Sequence, residues 1–371
     1  LVEEIKLNET ALVRVIGLTL ETRPDHVTAN EIKMLNDMMC TRVQIGVQSL
    51  NDKILKKINR GCYYEDTIRA VKNLLNCGFK VDVHIMFDLP FASYEDDIVM
   101  AEQFLNDENV RFDQAKLYPF SSMDWTVTKQ WEDKGMNLHY SQEELREVLI
   151  HFMTNVHPWV RLNRVIRDIP DFYITAGNNI PNYRQNIEEE MKSRGIYCMD
   201  IRNREVKNNI KALKASKNMK LIVRNYKASG GDEYFISFES LDEKYIYGFC
   251  RLRLSNELGY VDDIKPRIHR KGNSDNIENK INVFPFLNGC AMIRELHVYG
   301  NMTKVHNENF HIQHMGLGKR LISKAEEIAI AHNYNKIAVI SGVGVRKYYE
   351  KRGFKFDNNY MIKDLSNEIF I

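Results

Sequence analysis

The segment Gln313-His314-Met315-Gly316-Leu317-Gly318-Lys319-Arg320 sets glycines just ahead of Leu321, Ala325, Ile328 and Ala329, an apolar stripe at helical spacing. Glycines there let the backbone approach a ligand, and a helix N-terminus offers free N–H groups and the positive end of its dipole to a pyrophosphate. Farther on, Tyr348-Tyr349-Glu350-Lys351-Arg352-Gly353-Phe354 carries phenols that can protonate a leaving thiolate or orient a thioester. In the N-terminal half, polar residues collect where short apolar runs end. These are Glu21-Thr22-Arg23 after Gly17-Leu-Thr-Leu, Gln44-Ile-Gly46-Val-Gln48, His84-Ile-Met-Phe-Asp88, and Lys116-Leu-Tyr118-Pro119. The C-terminal ends of parallel strands are where barrel chemistry gathers. Each string also has a plain reading, as a packing turn, an amphipathic face or a solvated lysine.

The elements that must hold these residues follow from periodicity. Residues 12–20 read as a strand, and Thr28-x-x-Glu31 is a capping box before Ile32, Leu35 and Met38 at helical spacing. Val43–Val47 is a second strand. Ile68, Val71 and Leu75 form a helical stripe closed by Gly78, Val81–Phe87 is a third strand, Ser93-x-x-Asp96 caps another helix, and Phe112–Leu117 opens a fourth strand. Repeated strand–helix units mean a parallel sheet, and four strands are too few to close a barrel. Residues 121–195 read mostly as helix and loop. A basic stretch, including Arg202, Arg204, Lys207, Lys211, Lys214, Lys217, Lys220 and Arg224, then marks a linker at 196–225 between a domain at 1–195 and one at 226–371. Beyond it come antiparallel strands, a long helix at 317–332, the strand 336–340 and a short helix at 343–351. Residues 255–285 read as an inserted or mobile loop.

Composition narrows the class. The 371 residues are 44% hydrophobic and 27% charged, values of a globular chain of about two domains. No run of apolar residues is long enough for a membrane span, and no secretory leader precedes the first strand. The net charge of +2 means that a polyanion must be met by local patches. The six cysteines are scattered without a CxxC, which suggests a reducing, cytoplasmic setting, or a nuclear one in a eukaryote. The chain begins at Leu1 and reads as part of something longer.

The Gln313–Gly318 string fits the pyrophosphate loop of GNAT acetyltransferases, and Tyr348–Phe354 their C-terminal signature. Taken together, GLTLETRPD, RVQIGVQS, INRG, CGFKVDVHIMFDLP, KLYP, RVIRDIP, RELHVYG, QHMGLG and AVISGVGVRKYY resemble, in order, the family of the Elongator catalytic subunit. The resemblance implies an α/β chain in which a partial parallel radical-SAM barrel joins a GNAT-type acetyltransferase domain. It also implies carboxymethylation of carbon 5 of the wobble uridine of tRNA. In that family S-adenosylmethionine on a 4Fe–4S cluster yields a radical that takes hydrogen from the methyl group of acetyl-CoA. The resulting carbon radical adds to the base, and hydrolysis frees CoA.

Residue by residue, the resemblance implies that Glu21, Gln44 and His84 stand near S-adenosylmethionine and that Lys116 and Tyr118 stand where base and acetyl group meet. Glu295, His297 and Val298 lie alongside acetyl-CoA, with the Val298 N–H polarising the thioester carbonyl. Strand alternation is expected to turn either Glu295 or His297 away. Gln313–Arg320 hold the pyrophosphate, and Tyr348 and Tyr349 lie near the sulfur. Arg161, Arg164 and Arg167, with Arg202, Arg204 and the basic linker, are candidates for tRNA phosphates. The family's closely spaced cluster cysteines have no counterpart, because Cys40, Cys62 and Cys77 are too far apart, so the radical step is not expected of this chain. Relatives carry further cysteines after the one at Cys198. Asp200 and Asn203 take those places here, which argues against a zinc site. Expected partners are tRNA and other Elongator subunits, with no membrane. Two other readings compete, a lysine N-acetyltransferase acting on proteins such as histone tails and a non-catalytic acetyl-CoA-binding remnant.

Overall fold

The computed structural model describes the chain except residues 137, 166–169, 178–179, 181, 207–211, 213–214, 264–278, 300–315 and 367–371. Strands β1 (Leu18–Thr22), β2 (Cys40–Gln48), β3 (Lys80–Phe87) and β4 (Gln114–Pro119) run parallel. A short β5 (Ser121–Met123) follows at once. Next, β6 (Arg161–Val165) joins the same sheet, giving the order β1-β2-β3-β4-β6. β7 (Ile174–Gly177) pairs antiparallel with β5, Ser121 opposite Gly177, so a two-stranded ribbon continues from the C-terminal end of β4. Helices cover one face of the sheet. Their starts are fixed by side-chain caps, reciprocal at Ser93/Asp96 and Ser141/Glu144. Gly78, at φ +84°, ends the Tyr64–Asn76 helix.

The second sheet comprises β8 (Lys220–Ala228), β9 (Gly231–Glu239), β10 (Ile246–Leu254), β13 (Cys290–Val298), β14 (Lys336–Ile340), β15 (Lys355–Asp357) and β16 (Tyr360–Asp364), in the order β15-β16-β14-β13-β10-β9-β8. A hairpin of β11 (Tyr260–Asp263) and β12 (Asn279–Asn282) stands apart from it. Only β13 and β14 are parallel among the described pairs of this sheet, and they pair from Cys290 to Ile293. The Leu317–Ala331 helix lies on one face, burying Leu317, Leu321, Ile322, Ala325 and Ala329. The other face sits on the first domain.

Several expectations change here. The fifth parallel strand falls inside 121–195, where Arg161, Asn163 and Arg164 masked its alternation. Residues 220–225, read as the end of the linker, open β8 as an edge strand with every second residue exposed. Residues 12–17 stay outside β1, and the Val15 and Ile16 carbonyls lie against Gly344 and Gly342. Part of 255–285 is the β11–β12 hairpin. Among the described residues no helix is long and apolar enough to cross a membrane.

Candidate active site

Alternation gives the parallel sheet two unlike faces. Val43, Ile45, Val81, Val83, Ile85, Ala115 and Leu117 are completely buried on the helix-covered side. The opposite face carries Arg42, Gln44, Lys80, Asp82, His84, Gln114, Lys116 and Tyr118. A register shift at Ala115/Lys116 also brings Asn163 onto this face and sets Arg164 opposite Lys116. Lys116 Nζ donates to Gln44 Oε1 at 3.0 Å, and Gln44 Nε2 donates to Asp82 Oδ2 at 3.2 Å. Asn163 Nδ2 donates to the same oxygen at 2.9 Å and to Gln114 Oε1 at 2.7 Å, which also accepts from Arg42 Nη1 at 2.9 Å. Asp82 is fully buried, and its Oδ1 has no hydrogen-bond partner among the described residues. Burial raises the Asp82 carboxyl above its ordinary range, against the pull of the Arg42 and Lys116 charges.

At the mouth, His84 Nδ1 lies 3.4 Å from Glu21 Oε1, and its ring meets Tyr118 edge-on at 5.6 Å. Burial, helped by the Lys116 charge, pushes His84 down to about 4, so its imidazole is neutral at pH 7. Burial raises the Tyr118 phenol, which keeps its proton. Glu21, Gln44, His84, Lys116 and Tyr118 are thus brought together, as expected, with Arg164 beside them.

The lower end of this face meets the second sheet. A bulge in β13, where the pairing steps from Arg251↔Glu295 to Leu252↔Ile293, puts Arg294 and Glu295 on the same side. His297, two residues on, shares that side, so neither Glu295 nor His297 turns away as expected. Lys80 Nζ comes within 3.6 Å of Glu295, and Arg251 Nε donates to it at 3.0 Å. Burial opposes ionisation, but the Lys80 and Arg251 charges outweigh it and hold Glu295 below the usual carboxylate range. Arg294 bridges Asp113 (2.7 Å) and Glu233 (2.8 Å), and Arg253 reaches Glu233 (3.1 Å) and Asn76 Oδ1 (2.7 Å). These buried charges join the two domains.

Past Ile293, β13 leaves β14 and continues to Val298 against β10 alone, which opens a wedge. The helix N-terminus faces its edge. Gly316 is the N-cap at φ +67°, without a side-chain cap. A Cβ on Gly318 would collide with the Tyr348 hydroxyl, and Val298 lies beside it. Leu317, Gly318, Lys319 and Arg320 form the first turn; Gln313, His314 and Met315 lie outside the described residues. Tyr348 reaches this turn, with the Arg352 guanidinium 3.4 Å above its ring. Burial raises its phenol above the ordinary value. Tyr349 packs in the core against Phe354 and is raised further by burial. A helix N-terminus without a side-chain cap among the described residues, side-chain-free glycines and a protonated phenol fit a CoA thioester.

The basic residues divide. Arg204 corrects its expectation: it is buried, with Nη1 2.7 Å from Glu239 and Nε donating to the Met199 carbonyl, so its charge is spent inside the fold. Arg224 is likewise paired with Glu239 and Glu243, and Arg161 with Glu205 at 3.2 Å. Arg164 and Arg202 line a cleft with Arg184, which the sequence reading did not single out. Arg167 lies outside the described residues.

The cysteines do not fit an iron–sulfur cluster. All six are free and buried, and among the described residues no three metal-ligating side chains converge. Burial raises Cys62 and Cys290 to about 11. At the zinc position Asp200 accepts from the Leu162, Arg202 and Asn203 N–H groups and stands 3.7 Å from Arg184.

Residues 1–104 match the family model of the Radical SAM superfamily, and residues 112–193 that of the Radical_SAM C-terminal domain. Elongator complex protein 3 of Bos taurus is 34% identical over 366 residues, covering 98% of this chain and 63% of that protein. A tRNA uridine(34) acetyltransferase of Methanocaldococcus infernus is 35% identical over 371 residues, 98% of this chain and 65% of that one. The solved structure of the archaeal Methanocaldococcus infernus Elp3 with an N-terminus deletion (1-46) aligns at TM-score 0.82 and 34% identity, covering 98% of this chain and 81% of that chain. The chain belongs to the Elongator complex protein 3 family. It spans less than two thirds of the length of the Bos taurus relative. The first domain is the expected partial parallel radical-SAM barrel, joined to a second domain built on the seven-stranded mixed sheet. Sequence reasoning found the mouth of this family member's polar face but missed its floor, Arg42, Asp82, Gln114 and Asn163. The signal was present in Arg42-x-Gln44, Asp82-x-His84 and Gln114-x-Lys116-x-Tyr118, which alternate at strand period.

Proposed function

We propose that this chain is the acetyl-CoA- and tRNA-handling part of an enzyme that carboxymethylates carbon 5 of the wobble uridine. The observation that carries the reading is the Lys80–Glu295 contact, through which the thioester strand of the second sheet abuts the polar face that ends in Lys116. Acetyl and base would meet along one wall. Acetyl-CoA supplies an activated two-carbon unit when bound. The first turn at Leu317–Lys319 would hold its pyrophosphate by N–H groups and dipole. The Tyr348 hydroxyl, kept protonated, would supply a proton to the departing sulfur, and the Val298 N–H would polarise the carbonyl. Lys116, steered by Gln44, would meet a phosphate or the acyl oxygen, while Arg164 and Arg202 would meet tRNA phosphates. Glu21, Gln44 and His84 are the candidate contacts for S-adenosylmethionine. No step here runs through a cluster, since the cysteines do not fit one. Other Elongator subunits are proposed partners, and a cytoplasmic or nuclear setting follows from the same reading.

A lysine acetyltransferase needs a base to take the ammonium proton. Of the two candidates, Glu295 and His297, Glu295 is paired with Lys80 and Arg251 and is poorly suited to that task, which leaves His297 for a lysine acceptor. Release of CoA from acetyl-CoA tests the proposal. Stimulation by tRNA, lost on Lys116→Ala, supports it. Stimulation by histone-tail peptide instead would transfer the site to lysine, and tight binding without turnover under any condition would leave a non-catalytic binder.

A further inference from the structure

The β5–β7 ribbon rises from the mouth of the polar face and ends in aromatic side chains that the proposed chemistry leaves unused. Met123 pairs with Ile174, so Trp125, two residues past the one, and Phe172-Tyr173, just before the other, come together at the ribbon's tip. Trp125 and Tyr173 lie 5.6 Å apart, centroid to centroid and edge to face, and Phe172 and Tyr173 lie 4.2 Å apart. Trp125 is 79% exposed, Phe172 77% and Tyr173 38%. Large aromatic rings gain most from leaving water, and contiguous exposure of this kind marks an interaction surface.

The ribbon's base is firmly anchored. Gly177, at φ +92°, lets the chain pass so close that a Cβ would strike the Phe120 carbonyl and the His139 ring. His139 stacks on Phe120 at 5.5 Å, and its Nδ1 lies 2.7 Å from Asp88 Oδ2, at the end of β3. The tip is therefore presented from a fixed support beside the site. The C-terminal end of β6 opens into a cleft of about 730 Å³ lined by Arg164, Arg202 and Arg184, the last paired with Glu188 at 2.6 Å. Cations tracking a backbone beside exposed rings are what an unpaired stretch of RNA requires. Phosphates take the guanidinium groups, and bases stack on the rings.

We propose that Trp125, Phe172 and Tyr173 form a stacking platform for an unpaired base next to the one being modified. This rests on the tRNA reading above and names how the loop is held. The arginine excess in the cleft favours a polyanion over a protein surface.

The test uses a labelled anticodon stem–loop and a fully paired hairpin of equal length, titrated with the whole chain by fluorescence anisotropy. Trp125→Ala and Phe172→Ala should each weaken stem–loop binding on the order of tenfold, as expected for loss of one stacked base. Trp125→Phe should stay within about threefold of wild type, since a ring remains to stack on. The paired hairpin should be indifferent to all three changes, and the salt slope should not alter, because no charge is removed. Unchanged stem–loop affinity in both alanine variants overturns the platform and leaves the rings to a protein partner. Equal losses on both RNAs also overturn it. If wild type binds the stem–loop and tRNA still stimulates CoA release, only the platform has failed. If wild type binds neither RNA, the tRNA reading falls with it.

Discussion

A lysine, a buried carboxyl and a neutral imidazole share one strip of sheet, and the lysine charge bears on both of the others. His84 takes up its proton only near pH 4, whereas an unfolded imidazole does so near its ordinary value of about 6.5. Between those values the unfolded chain binds the extra proton and the folded chain does not. The His84 contribution to stability is therefore full above about 6.5 and is lost as pH falls toward 4. An NMR titration should place the His84 midpoint near 4, and a midpoint near 6.5 would contradict the burial described. Asp82 governs the same strip from below, because it fixes the Gln44 amide that accepts from Lys116. Asp82→Ala should cost about 1–3 kcal/mol in urea unfolding, since the Gln44 and Asn163 amides lose their acceptor. At this scale the sequence disclosed residue types at strand ends but not their partners. Arg204 and Arg224 read as part of a basic surface for tRNA phosphates because sequence records the sign of a charge and not the Glu239 carboxylate that meets it.

Elements turn these residues toward each other through small irregularities. The β13 bulge puts Arg294 and Glu295 on one face, and the parting of β13 from β14 opens the wedge that the helix N-terminus faces. Neither follows from periodicity, since a bulge inserts one residue into an otherwise regular alternation. Val43–Val47, by its short apolar run, and Val81–Phe87, by its alternation, were legible, and so was the long helix with its stripe at Leu321 and Ala325. β6 and β8 were not, because Arg161, Asn163, Lys220 and Arg224 dilute the apolar signal. The helix N-terminus makes its own prediction. Gly318→Ala places a methyl group against the Tyr348 hydroxyl. Calorimetry should find acetyl-CoA binding weakened about tenfold, roughly 1.4 kcal/mol. Adding Tyr348→Phe, which removes the colliding oxygen, should recover part of the loss. Full affinity in the single variant would remove this turn from the binding site.

For the whole molecule, the decisive feature is the ionic seam between the sheets. Arg251, Arg253 and Arg294 are almost fully buried, and Asp113, held down to about 2 mainly by Arg294 and Arg251 against the effect of burial, stands at their centre. Such a seam fixes how the domains meet more than it adds to stability, but removing one partner strands the others. Arg294→Met leaves Asp113 and Glu233 facing each other without their bridge. It should cost about 3–5 kcal/mol and split the thermal unfolding of the chain into two steps. A single undiminished transition would show that the seam does not set the docking. That docking is what places β13 under the polar face. The central claim is tested most directly by CoA release from acetyl-CoA with and without total tRNA, in wild type and in Lys116→Ala. Turnover that rises with tRNA in wild type and stays at its basal level in the variant is the expected result. Turnover indifferent to tRNA, or raised by a lysine peptide alone, would contradict it.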